Sequence, residues 1–323
     1  MTCPPFTELC AADVADALRE HLQTCLRCRA IVQRVQGSEP ALGAAPAAPV
    51  QPAPHTGPRP QPGGVWTFWA PSCDEYVVGA VLDGDDTELL IVPLLMDFDW
   101  ASEEDVLLTA DVLGYPAVAP VWASDHVLVE QAAEAVDMLS EEHLSGLLSA
   151  YDAFFASEPI DAPSGPPVLA DADPRIDAHA AIADDLRGLY APWAMLQGAD
   201  ELGPVIAQRR GELDIDLKQW SEIVDVDERH WCAFEAGKAA PNEHIPIPAL
   251  ARAVRKLGLL PSQRVVQLAH ASVENHGGGD SVPEAPAFAR RRRGVVPAAP
   301  RDTEAASAAA DTYAAALAKE LGL

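Results

Sequence analysis

The sequence predicts a multidomain α+β protein: a small helical module, a linker, a β-barrel-like α+β domain and an all-α domain. Three observations predict it. Residues 37–64, "GSEPALGAAPAAPVQPAPHTGPRPQPGG", are rich in Ala, Pro and Gly and nearly free of large apolar side chains, so they cannot bury a core. Next come β-branched and aromatic runs punctuated by turn residues and followed by one helical pattern. From Asp173 onward the apolar spacing is helical almost throughout. These shifts divide the 323 residues into segments 1–36, 37–64, 65–170, 171–275 and 276–323.

In the first segment Val14, Leu18 and Leu22, then Ile31 and Val35, recur at helical spacing. The stretch "REHLQTCLRCRAIV" adds His21, Cys25 four residues on and Cys28 three further. Imidazole and thiolate both bind zinc, and a structural site wants four such ligands in a tetrahedron. His21 and Cys25 share one helix face at their spacing, and a Cys-x2-Cys pair suits two thiolates on one ion. The fourth ligand is Cys3 or Cys10. On one straight helix Cys10 stands roughly 16 Å from His21 along the axis. Cys3, followed by two prolines, lies outside the helix and folds back more freely, so Cys3 is favoured and Cys10 is the alternative. Six cysteines in so long a chain do not make a disulfide framework; close pairs in a reducing compartment are metal ligands or redox thiols. The N-terminus shows no secretory signal, and the longest apolar runs fall short of the roughly 20 residues of a membrane span. A cytoplasmic protein with no membrane partner is expected.

"EHLQTCLRCRAIV" resembles the zinc-binding anti-sigma motif, His-x3-Cys-x2-Cys, over residues 3–36. The resemblance implies bound Zn2+, a sigma factor or another transcription regulator as partner, and in some members a response to thiol oxidation. This chain departs from the family in the spacing before His21, where the first ligand usually lies farther upstream.

In the middle segment "VWTFW", "EYVVGAVL" and "ELLIVPLLM" read as strands, with "DGDD" as the turn between the last two. "EDVLLT" and "PVWASDHVLVE" add two more. Ser140 then reads as the N-cap of a helix whose Leu144, Leu147, Leu148, Tyr151, Phe154 and Phe155 form an apolar face. Residues 65–200 carry 27 acidic side chains against two basic ones, Arg175 and Arg187, and so hold −25 of the chain's net −27. Such a surface repels phosphate backbones and favours a basic partner or plain solubility. Asp177, His179, Asp184 and Asp185 read as surface and first-turn charges rather than a metal site, since His179 and Asp184 stand about 140° apart around a helix. The order of strands then helix is similar to the SH3-like barrel of MazF/PemK-type toxins, which are ribonucleases. The match departs at the chemistry: "APSCDEY" holds no Arg or Lys, and Met96 and Asp97 stand where a Ser or Thr is expected.

"IAQRRGELDIDLKQWSEIVDVDERHWCAFEAGKAAPNEHIPIPALARAVRKLGL" resembles the Xre/Cro type of helix-turn-helix at Arg210, Leu217, Trp220, Val226, Phe234, Glu235, Gly237, Pro241, Leu250, Ala251 and Leu257. Leu217, Val226 and Phe234 would build the core, and Gly237 would end the recognition helix. That helix would begin near Asp227, with Arg229, His230 and Lys238 as candidate DNA contacts. Asp227 and Glu228 point the other way, because they would bring carboxylates toward DNA, so protein contacts and DNA contacts both stay open. After a Gly/Pro/Ala-rich stretch carrying "RRRR", a last helix sets Tyr313, Leu317 and Leu321 in one row. The sequence thus predicts a transcription-regulatory protein rather than an enzyme: a zinc-binding, anti-sigma-like factor acting through protein contacts. A sequence-specific DNA-binding regulator and a toxin-type ribonuclease are the alternatives.

Overall fold

The computed structural model describes residues 4, 18–24, 28–29, 31–33, 59–71, 75–110, 114–167, 173–276 and 303–323. The fold is mixed α+β and divides into two compact units, Met1–Gln197 and Gly198–Leu323. Among the described residues, no helix is long and apolar enough to cross a membrane.

The first unit contains helix α1 (Arg19–Thr24), the first among its described residues, and is built on a five-stranded antiparallel sheet. Its strands are β1 (Gly64–Ala70), β2 (Glu75–Gly84), β3 (Glu88–Pro93), β6 (Asp125–Leu128) and β7 (Ala132–Met138), in the order β6-β3-β2-β1-β7. Strand β1 is buried along nearly its whole length, which is why "VWTFW" is apolar at every position but the half-buried Thr67 rather than alternating. It pairs with β2 from Val65↔Ala80 to Ala70↔Glu75, and with β7 through two register shifts. The β2–β3 turn is set by Asp85, whose Oδ1 accepts from the Thr87 amide (2.7 Å), the Thr87 hydroxyl (2.7 Å) and the Glu88 amide (3.0 Å). Strands β4 (Asp105–Leu108) and β5 (Ala117–Pro120) form a second, two-stranded sheet, tied to the end of β3 by the Leu95↔Val118 bridge. "PVWASDHVLVE" therefore splits between two strands separated by a 3-10 turn at Val121–Ala123.

Helix α2 (Glu141–Ala156) begins where expected: the Ser140 hydroxyl accepts from the His143 amide at 3.2 Å, and Glu141 and Glu142 sit in the positive first turn. Helix α3 (Pro174–Ala194) packs on β6 and β1. Its spacing alone groups it with the C-terminal helices and predicts a break near Pro192. Instead it belongs to the first unit, and it does end close to the expected break, at Ala194, two residues past Pro192. The Tyr190 hydroxyl donates to Ala123 O, and the buried Gln131 amide donates to Leu189 O and Trp69 O, fixing α3 to the strands. None of these partners is near α3 in sequence, which is why periodicity alone misassigns the helix.

Among the described residues, the second unit is all helical: α4 (Leu202–Glu212), α5 (Leu217–Val224), α6 (Glu228–Glu235), α7 (Pro241–His244), α8 (Ile247–Lys256), α9 (Gln263–His276) and α10 (Thr303–Leu321). Trp220, Trp231 and Phe234 are buried together, with Trp220 and Trp231 edge-on at 5.8 Å and Trp231 and Phe234 at 5.7 Å. Gly237, at φ +59°, ends α6 as the sequence implies; its amide donates to Phe234 O, and the Lys238 amide to Ala233 O. Helix α10 lies against α9 and α8 through the row Tyr313, Leu317 and Leu321, all buried. Burial raises the Tyr313 phenol's pKa, so it stays protonated.

Candidate functional site

Of the predicted zinc ligands, His21 and Cys28 are described, while Cys25, Cys3 and Cys10 lie outside the described residues. His21, on α1, is 5% exposed; Cys28 is 0% exposed, and its neighbours Ile31 and Val32 are also buried. The donor types fit zinc: an imidazole and a thiol, both shielded from water, are what a closed structural site uses. Among the described residues, no group of three or more His, Cys, Asp or Glu side chains is placed to hold a metal.

In the helical unit, α5 and α6 are joined by Asp225–Val226–Asp227, with Asp225 in the left-handed region at φ 59°. Arg210 of α4 clamps α6: its Nε and Nη2 donate to the two Glu235 oxygens at 2.8 and 2.7 Å, and its Nη1 donates to Ile215 O at 2.6 Å. The Trp231 indole donates to the same Glu235 carboxylate at 2.7 Å. Hydrogen bonding to Glu235 raises the Arg210 pKa further, so the guanidinium is permanently charged. With Trp231, Phe234 and Glu235 turned inward, α6 presents Glu228, Arg229 and His230 to solvent, and Lys238 follows just beyond its end. The three predicted DNA contacts are therefore exposed. Asp227 caps the helix by accepting from the Arg229 amide at 2.9 Å, so this N-terminus is already acidic and occupied. His230 stacks on His244 of α7 at 4.0 Å.

Two polar clusters in the sheet unit are not foreseeable from the sequence. His179 reads there as a surface charge and is instead buried, stacked on Trp122 at 5.0 Å and edge-on to Trp100 at 5.7 Å. Its Nε2 lies 3.0 Å from Trp100 O and 3.5 Å from Asp105 Oδ2. Asp105, also buried, accepts from the Trp122 indole (2.8 Å), the Ser102 amide (2.7 Å) and the Ser102 hydroxyl (2.8 Å). Serine, histidine and aspartate meet here in the wrong order for nucleophilic catalysis: the hydroxyl donates to the carboxylate, not to the imidazole, and all three are inaccessible. The cluster crosslinks β4 and α3. Only its Trp and His content is visible in sequence, because α3 lies more than 50 residues from the partners it meets. Met96 and Asp97, where the toxin-like barrel would carry a hydroxyl, are exposed in the loop after β3.

The second cluster surrounds His126 on β6. Its ring stacks on Trp193 at 4.7 Å, and the Trp193 indole donates to Glu88. A hydrogen bond to Asp125, helped by the charges of Asp125, Glu88 and Asp83, raises the His126 pKa above its usual 6.5 despite opposing desolvation. A group raised in the folded state stabilises below its unfolded pKa, and that contribution is lost as pH rises through the folded value. The sheet unit is therefore expected to melt at lower temperature at about pH 8 than at about pH 6 on account of this residue. In His126→Phe, which keeps the ring stack, the difference between the two pH values should shrink, as followed by circular dichroism melts.

No family model matches the chain, and no curated protein matches it significantly.

Proposed function

We propose that this chain is a transcription-regulatory protein that acts through protein–protein contacts, with residues 1–36 forming a zinc-binding, anti-sigma-like module. The observation that carries the reading is the burial of His21 and Cys28, two of the ligand types in the His-x3-Cys-x2-Cys spacing. Zinc, when bound, would hold the module's helices in one partner-binding shape; His21, Cys25 and Cys28 would hold it, with Cys3 or Cys10 as fourth ligand. Two-electron oxidation of the Cys25 or Cys28 thiolate by a peroxide, to a sulfenic acid and water or hydroxide, would remove a ligand that holds zinc and so release the partner.

The finer architecture fits this regulatory role. The α4–α6 arrangement, with its three-residue turn and Arg210–Glu235 clamp, supports an Xre-like helix-turn-helix, and the antiparallel sheet followed by α2 supports an SH3-like barrel. The acidic, self-capped start of α6 favours protein partners over DNA. A second reading, a sequence-specific DNA-binding regulator, draws on the exposure of Arg229, His230 and Lys238. Affinity capture with the tagged full chain separates the two. The proposal expects a sigma factor or comparable regulator to be recovered under reducing conditions and lost after peroxide treatment. Steeply salt-dependent binding to one DNA sequence, with no protein recovered, would favour the second reading.

A further inference from the structure

The loop between β3 and β4 exposes apolar side chains without being loose. Leu95 pairs with Val118 through two backbone hydrogen bonds, Leu95 N to Val118 O at 2.9 Å and Val118 N to Leu95 O at 2.7 Å. The Asp97 carboxylate accepts from the Asp99 amide at 3.0 Å, the Ala101 amide donates to Phe98 O at 3.1 Å, and Trp100 is buried. Between these anchors Met96 is 64% exposed and Phe98 37%. Tyr76, 55% exposed, lies near the start of β2, which the Gly79↔Pro93 pairing places at the same end of the sheet as this loop. Glu75, Asp97 and Asp99 alternate with the three apolar residues and are themselves exposed.

Both basic side chains between residues 65 and 200 are already held by carboxylates of their own. Arg175 is bound to Asp173 and to the carbonyls of Ala101, Pro166 and Pro167. Arg187 pairs with Asp184 at 3.0 Å. A rigid display of two rings and a thioether among carboxylates, within a region of net charge −25, is complementary to a segment carrying both positive charge and apolar side chains. We propose that the end of the sheet bearing Tyr76, Met96 and Phe98, rimmed by Glu75, Asp97 and Asp99, is a docking surface for a cationic, apolar-containing segment of a protein partner. The surface is lined by none of the proposed zinc ligands.

The test is fluorescence anisotropy of two labelled synthetic peptides titrated with the full chain, one alternating lysine with leucine and one alternating lysine with serine. The lysine–leucine peptide is expected to bind about tenfold more tightly, and Met96→Ser/Phe98→Ser to weaken it about tenfold. Tenfold corresponds to about 1.4 kcal/mol, the scale of burying one apolar side chain of this size. Both positions are exposed, so an unchanged melting curve certifies the variant's fold. Val136→Ser/Met138→Ser serves as the control: Met138 pairs with Gly64, at the far end of β1 from Tyr76, and its replacement leaves binding unchanged. Equal affinity for the two peptides, or equal weakening by the two double variants, overturns the proposal. So does a dimer of the full chain that Met96→Ser/Phe98→Ser dissociates, because the patch would then belong to a second copy.

Discussion

Gly203→Ala is expected to destabilise the helical unit by about 3 kcal/mol or more, and in the extreme to prevent its folding. A Cβ at Gly203 would lie 2.1 Å from Phe234 O and 2.9 Å from Phe234 C, both backbone atoms of α6. No side-chain rotation relieves such a contact, so α4 and α6 would have to move apart. That movement strains the Phe234 and Trp231 packing and the Arg210–Glu235 clamp together. Gly211, on the same helix, faces open space, with nothing within 4 Å of where an alanine methyl would stand. Gly211→Ala should therefore gain up to about 1 kcal/mol from helix propensity alone. Urea unfolding followed by tryptophan fluorescence should move the two midpoints in opposite directions. Equal midpoints would mean that α4 and α6 do not approach as described.

Glu235→Ala is expected to cost about 3 kcal/mol, at the low end for breaking a buried ion pair. The carboxylate sits at 7% side-chain exposure and accepts from Arg210 twice and from the Trp231 indole once. Its removal leaves a guanidinium held against Ile215 O with only the charge of Asp216 acting on it, and a buried indole N–H with its acceptor gone. Glu235→Gln keeps the shape and one acceptor oxygen, so its loss should be smaller. The same urea experiment reads both, and a Glu235→Ala midpoint matching the parent would show that the clamp is not a stability element.

Much of the fold is legible in the sequence because local chemistry and tertiary structure agree. The "DGDD" turn works through Asp85, Ser140 caps α2, and Tyr313, Leu317 and Leu321 are buried on one face of α10. Strand β7 is not legible. Its sequence, "AAEAVDM", is alanine-rich and acidic, and its strand character comes from pairing with β1 more than 60 residues away. His179 misleads for the same reason, since Trp100, Trp122 and Asp105 become its surroundings only after folding. Arg210 and Glu235 stand out in sequence as positions in a pattern, whereas their bidentate pairing requires the crossing of α4 and α6. The proposed zinc site is legible as spacing, and the burial of His21 and Cys28 adds the environment that such ligands need.

Metal analysis of the full chain, purified under reducing conditions without added metal, tests the central claim most directly. About one zinc ion per chain is predicted, falling to background in Cys28→Ser and in Cys25→Ser, with peroxide releasing the metal from the parent protein as its thiols disappear. A parent chain without zinc, or serine variants that retain it in full, would contradict the account.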